Sequence, residues 1–146
     1  HNGATWSIVG GIHLTATRST TQSIPASTLT KISFDAVDSA STYPSAWSPS
    51  SPTRLTAPGR GVYRIECQAS FVANPSGFRA IIIYKNGAGA GRLVQYQPIT
   101  GSGAVGQASA TLPLAAGDYI ECVVWQSSGG ALGLEIGALM SMTVQP

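Results

Sequence analysis

The stretch Arg54-Leu-Thr-Ala-Pro-Gly-Arg-Gly-Val-Tyr-Arg-Ile-Glu-Cys-Gln-Ala-Ser-Phe71 decides the fold class. From Gly61 onward it alternates: Tyr63, Ile65, Cys67, Ala69 and Phe71 share one face, while Arg64, Glu66, Gln68 and Ser70 share the other. A period of two over that length predicts a half-buried strand with a clear inside. Pro58-Gly59, just ahead of it, reads as a type II turn, because proline presets φ at about −65° and glycine accepts positive φ.

The same period recurs on both sides. Residues 118–126 place Ile120, Cys122 and Val124 on one face and Tyr119, Glu121, Val123 and Trp125 on the other. That second face is also largely apolar, so it is expected to meet something other than water. Residues 78–85 are rich in isoleucine and stop at Asn86-Gly87, a two-residue hairpin signal, which makes 93–99 the expected partner strand. Residues 107–114 and 134–144 supply two more strands, and 12–17 and 28–34 a first pair with a break at Ile24-Pro25. The longest polar stretch, 35–52, contains three X-Pro steps and is expected to be irregular. Segments 87–91 and 101–106 read as flexible glycine-rich tips. No segment holds a 3.6-residue period over a helix's length. These features predict an all-β, antiparallel two-sheet sandwich or barrel.

A chain of 146 residues is one domain's worth. Its 17 glycines and 9 prolines argue against an all-α fold. The eight cations stand singly along the chain against six carboxylates, so no basic patch for nucleic acid is expected. No apolar run approaches the roughly 18 residues of a membrane-spanning helix. Charged residues make up 10%, against about 25% in an average domain, which implies that neighbours cover much of the surface. The chain opens without Met or a signal-peptide pattern and reads as a processed product or an excised C-terminal domain. Pro75 spoils its one Asn-x-Ser/Thr sequence, at Asn74.

Candidate chemistry is sparse. Residues 101–106 match G-x-G-x-x-G literally, but residues 107–114 alternate and contain Pro113, so the helix that would hold a pyrophosphate is not expected. Two histidines and two widely spaced cysteines fall short of a zinc set, and no metal or cofactor is expected. Cys67 and Cys122 each lie on an inward face. Facing sheets stand about 10 Å apart and a disulfide needs Cα atoms within about 7 Å, so free thiols are favoured over a bridge. No G-x-S-x-G occurs. The carboxylate pairs Asp35/Asp38 and Glu66/Glu121 are expected in a loop and on outward faces, in solvated or interface roles rather than as an acid/base dyad. No catalytic residue is assigned.

The order of segments resembles the complement-1q-like and tumour-necrosis-factor-like jelly roll, in the compact form found at the C-termini of bacteriophage fibre and other virion proteins. The resemblance is carried by Ser33-Phe34-Asp35, the long loop, Arg54 to Tyr63, Phe71-Val-Ala-Asn74, Arg79 to Gly87, Leu114-Ala-Ala-Gly-Asp-Tyr-Ile-Glu121, Val124-Trp-Gln126 and Ser141-Met142. It spans residues 12–146 and leaves 1–11 as an N-terminal arm. It implies a trimeric, non-enzymatic assembly or binding module on a virion surface: a fibre tip or a capsid decoration, partnered by capsid or fibre-shaft proteins. Calcium ligands seen in animal members are not carried over, because no acidic cluster is present. Tyr119, Val123, Trp125, Met140 and Met142 become candidates for the trimer interface, and Trp6, Ile8 and Val9 for an anchoring arm. Tyr43 and Trp47 are candidates for ligand contact, in an alternative reading as a receptor- or glycan-binding adhesin tip. A bacterial surface or spore-coat module of the same fold is a further alternative. No nucleic acid or membrane insertion is expected.

Overall fold

The computed structural model describes residues 11–96 and 103–146. Among them run β1 (His13–Thr17), β2 (Gln22–Ile24), β3 (Thr30–Lys31), β4 (Ala36–Val37), β5 (Arg54–Thr56), β6 (Gly61–Phe71), β7 (Arg79–Lys85), β8 (Ala88–Tyr96), β9 (Ala104–Leu114), β10 (Tyr119–Gln126), β11 (Leu132–Leu134) and β12 (Leu139–Val144). The first sheet has the order β2-β11-β6-β12-β1-β4, with β9 on the other side of β6. The second has the order β3-β10-β7-β8, with β5 also on β10. All of these pairings are antiparallel, and the two sheets form a jelly-roll sandwich.

The alternation of residues 61–71 is realised in full. β6 pairs with β9 from Gly61↔Leu114 to Phe71↔Ala104 and with β12 from Leu139↔Gln68 to Val144↔Tyr63. Tyr63, Ile65, Cys67, Ala69 and Phe71 line the core, joined from the second sheet by Ile81, Ile83, Ile120, Cys122 and Val124. Asn86 and Gly87 both adopt positive φ, at 51° and 81°, the backbone a two-residue hairpin requires.

Several expectations need correction. Residues 28–34 do not pair with β1. They hold only the two-residue β3, which joins β10 in the second sheet. The break at Pro25 is a crossing between sheets, and β1 lies instead between β12 and β4. Residues 134–144 split into β11 and β12 at a bend where Gly137 has φ of 92°; Gly137 N donates to Arg18 O, and Arg18 N donates to Ala138 O. Of the expected flexible tips, 88–91 already belong to β8, and β9 begins at Ala104, with Gly101 and Ser102 outside the described residues. Gly59 does not take positive φ, so Pro58-Gly59 is not a type II turn. The long loop is irregular apart from β4 and a 3-10 turn, Pro44–Ala46.

β1 begins, and β12 ends, at one pole of the sandwich, where Gly11 and Gly61 both lie against Val144. The β7–β8 turn and the 115–118 turn share this pole through Lys85, whose Nζ donates to Pro113 O at 2.8 Å. Residues 18–21, 72–78 and 127–131 and the Gly137 bend form the opposite pole.

Candidate functional site

Each sheet has an outer face, and the expected site residues sort onto them unevenly. On the second sheet, registers Glu121↔Tyr84 and Val123↔Ile82 continue into Arg54 on β5 and Lys31 on β3. Tyr119, Glu121, Val123 and Trp125 do point outward here, but the subunit already covers much of them. Val123 is buried and Tyr119 and Trp125 are half-buried. The Arg54 guanidinium lies 3.9 Å from the centroid of the Tyr119 ring, a cation–π stack. Glu121 is wholly buried beneath Lys31, with Nζ to Oε1 at 3.0 Å. Thr53 Oγ1 donates to its Oε2 at 2.6 Å. Lys31, Thr53 and Arg54 are partners of this face that periodicity alone does not find. Their signal is a lone carboxylate at Glu121 within an otherwise apolar face, which needs a cation to be buried at all.

Met140 and Met142 are not interface residues. Both are fully buried in the core of the single subunit, because β12 directs its even-numbered side chains between the sheets. Trp47 packs against the core, and its Nε1 donates to Pro52 O at 3.2 Å. Tyr43 remains 38% exposed. Trp6, Ile8 and Val9 lie outside the described residues.

The outer face of the first sheet is different in kind. It carries His13, Thr15 and Thr17 of β1, Ser141 and Thr143 of β12, Arg64, Glu66, Gln68 and Ser70 of β6, and Gln107, Ser109 and Thr111 of β9, aligned in rows by the registers. Two large apolar side chains on it, Val62 and Val105, are 46% and 63% exposed. Arg64 and Glu66 pair at 2.8 Å, and His13 Nδ1 stands 2.8 Å from Thr143 Oγ1. A shallow recess of about 300 Å³ lies between Arg64, Ser109, Ala110 and Thr111.

Carboxylates are committed to the scaffold. Glu66 and Glu121 lie on the outer faces of opposite sheets and form no dyad. Asp35 accepts from Ser19 N and Thr20 Oγ1. The backbone N–H bond, outweighing burial and helped by Thr20 and Arg18, holds its carboxyl below the ordinary value. Asp38 accepts from Ala40 N within its own turn. No three metal-ligating side chains converge among the described residues, and none of the described helices is long and apolar enough to cross a membrane.

No model of a known protein family matches this sequence, and no curated protein matches it significantly. Solved structures do. The Eiger TNF of S. frugiperda superposes with a TM-score of 0.68 at 10% identity, over 93% of each chain. The globular domain of the zebrafish complement 1qA protein superposes with a TM-score of 0.64 at 12% identity, over 92% of this chain and 97% of the other. At such identities the likeness carries the fold: this chain is a jelly roll of the complement-1q and tumour-necrosis-factor kind.

Proposed function

We propose that this chain is a non-enzymatic assembly and recognition module that works as a homotrimer on a virion surface, as a fibre tip or capsid decoration. The observation that carries trimerisation is the first sheet's outer face. It carries mostly polar side chains that can bond across an interface, and it leaves Val62 and Val105 exposed near opposite ends of the β6–β9 ladder. A closed symmetric assembly covers such a face without leaving a free copy of it. The second sheet's Tyr119, Val123 and Trp125 have less exposed surface left to bury, which favours the first sheet as the contact. That no three metal-ligating side chains converge among the described residues, and that Glu66 and Glu121 stand on opposite sheets, support the non-enzymatic reading. The virion setting rests on the sequence resemblance, with Trp6, Ile8 and Val9 as the proposed tether to a capsid or shaft protein.

Light scattering at micromolar concentration tests the assembly. The expected mass is about three times the 15.0 kDa of one chain, and a monodisperse monomer overturns it. A second reading, a receptor- or glycan-binding tip, is favoured by the exposed ring of Tyr43 in the long loop. Retention on a host-cell surface that Tyr43→Ala abolishes selects it over decoration. Retention on virus particles that the same change leaves intact selects decoration.

A further inference from the structure

A second recess, of about 390 Å³, lies at the pole where β1 begins. Its apolar walls are Val62 of β6, Pro113 and Leu114 of β9, and Ala115 of the turn that follows, with Arg60 beside them. Lys85 and Asp118 also line it and are held in place. They pair at 3.4 Å, and Lys85 Nζ donates to Pro113 O at 2.8 Å. Leu114 is buried, but Val62 keeps 46% of its surface in water. The recess is thus a fixed hollow whose apolar wall is only partly covered, the kind of surface that a partner segment fits.

The chain itself supplies an occupant. Gly11 and Gly61 lie against the two methyl groups of one side chain, Val144, and Gly61 lines the recess. Only β12 stands between β1 and β6, so the recess opens about 10 Å, two strand spacings, from Gly11. The large apolar residues that precede Gly11 are Trp6, Ile8 and Val9, and residues 1–10 contain no Asp, Glu, Lys or Arg. An extended chain spans about 3.3–3.6 Å per residue, so Ile8 reaches roughly 10 Å from Gly11 and Trp6 roughly 17 Å. Trp6 and Ile8, two apart, fall on one face of an extended segment.

We propose that residues 1–10 turn back along this pole and seat the Trp6 indole in the recess of their own subunit, with Ile8 over Val62 and the Arg60 guanidinium against the ring. The seat removes apolar surface of arm and recess from water together, and the guanidinium adds a cation–π contact. Such an arm is stowed in the free protein. Its release onto a virion protein, a further step, rests on the tether reading above: only the unseated fraction of arms is then open to attachment, which lowers the apparent affinity by that fraction.

The test labels the whole chain with fluorotryptophan and records the fluorine resonances of its 3 tryptophans, the one from position 6 being identified by Trp6→Phe. That resonance is expected away from the position of the free amino acid and unmoved when heavy water replaces light. Ala115→Tyr, which fills the recess, is expected to return it to the free position and restore the solvent shift. The Trp47 and Trp125 resonances, the circular dichroism and the light-scattering mass are expected to stay as they were. Ala115→Gly, which keeps the space open, is expected to leave Trp6 seated. A solvent-exposed Trp6 in the wild-type chain, or a protected one that Ala115→Tyr does not move, would overturn the proposal. Protection that is lost on dilution to the single chain would also overturn it, by putting the indole in a neighbouring copy. Attachment to virus particles reads the tether separately: a protected Trp6 in a chain that still attaches after deletion of residues 1–10 upholds the seat and removes the tether.

Discussion

Glu121 and Glu66 are both strand glutamates paired with a cation, yet they differ in what a broken pair leaves behind. Removing Lys31 strands a wholly buried carboxylate with Thr53 as its remaining partner, whereas removing Arg64 leaves Glu66 partly in water. Lys31→Met is therefore expected to cost about 2–3 kcal/mol, toward the low end for a broken buried pair because Lys31 itself is half in solvent. Arg64→Met is expected to cost roughly 0.5 kcal/mol or less. Urea unfolding of both variants at one protein concentration checks the contrast, and equal losses would contradict this account of Glu121. Cys67 and Ile65 are legible as core from alternation alone, since one strand face must leave water. Lys31 and Thr53 are not, because their partner lies far along the chain and their meeting depends on the two-strand edge that β3 and β5 make on β10.

At the scale of the element, the β7–β8 hairpin shows how a short signal is reinforced at long range. Asn86 suits positive φ, but its side chain also donates to Asp118 Oδ1 and accepts from Tyr119 N, each at 3.0 Å. Asp118 in turn accepts from Ala115 N at 2.8 Å and pairs with Lys85 at 3.4 Å. The Ala115 N–H, then Asn86 and Lys85, hold its carboxyl below the ordinary 3.8. A group depressed on folding contributes its stability above the unfolded value and loses it as pH falls through the folded one. Wild type is thus expected to lose stability below about pH 4, and Asp118→Asn to lose less over the same interval while starting lower at neutral pH. Urea midpoints from about pH 6 down to about pH 3 check this, and parallel curves would refute it. The hairpin is readable because its two residues are adjacent. The bend at Gly137 is not, because apolar residues on both sides of it read as one strand. For the same reason Met140 and Met142 find their place in the core only once β12 is seen between β1 and β6.

For the whole molecule, which sheet meets its copies is open to a direct contrast. Val105→Asp places a charge on the first sheet's outer face, and Trp125→Ala trims the second. Light scattering of the first variant is expected to give the single-chain mass, with circular dichroism unchanged, while the second keeps the mass of the assembly. The reverse outcome would move the contact to the second sheet. The jelly-roll class is legible because strand periodicity is local. The interface is not, since a polar face that seeks a copy of itself has the same composition as one that faces water.

The shared pole of Gly11 and Val144 bears on how the fold carries mechanical load. A pull that enters at Gly11 and is resisted at the opposite pole runs along the axis of β1. All five of its registers with β12, from His13↔Thr143 to Thr17↔Leu139, are then strained together, with those to β4 alongside. Pulling Gly11 and Val144 apart would instead peel the same strand open one bond at a time. A subunit anchored at this pole and gripped at the other thus meets traction in shear, the direction in which a β-ladder gives way last.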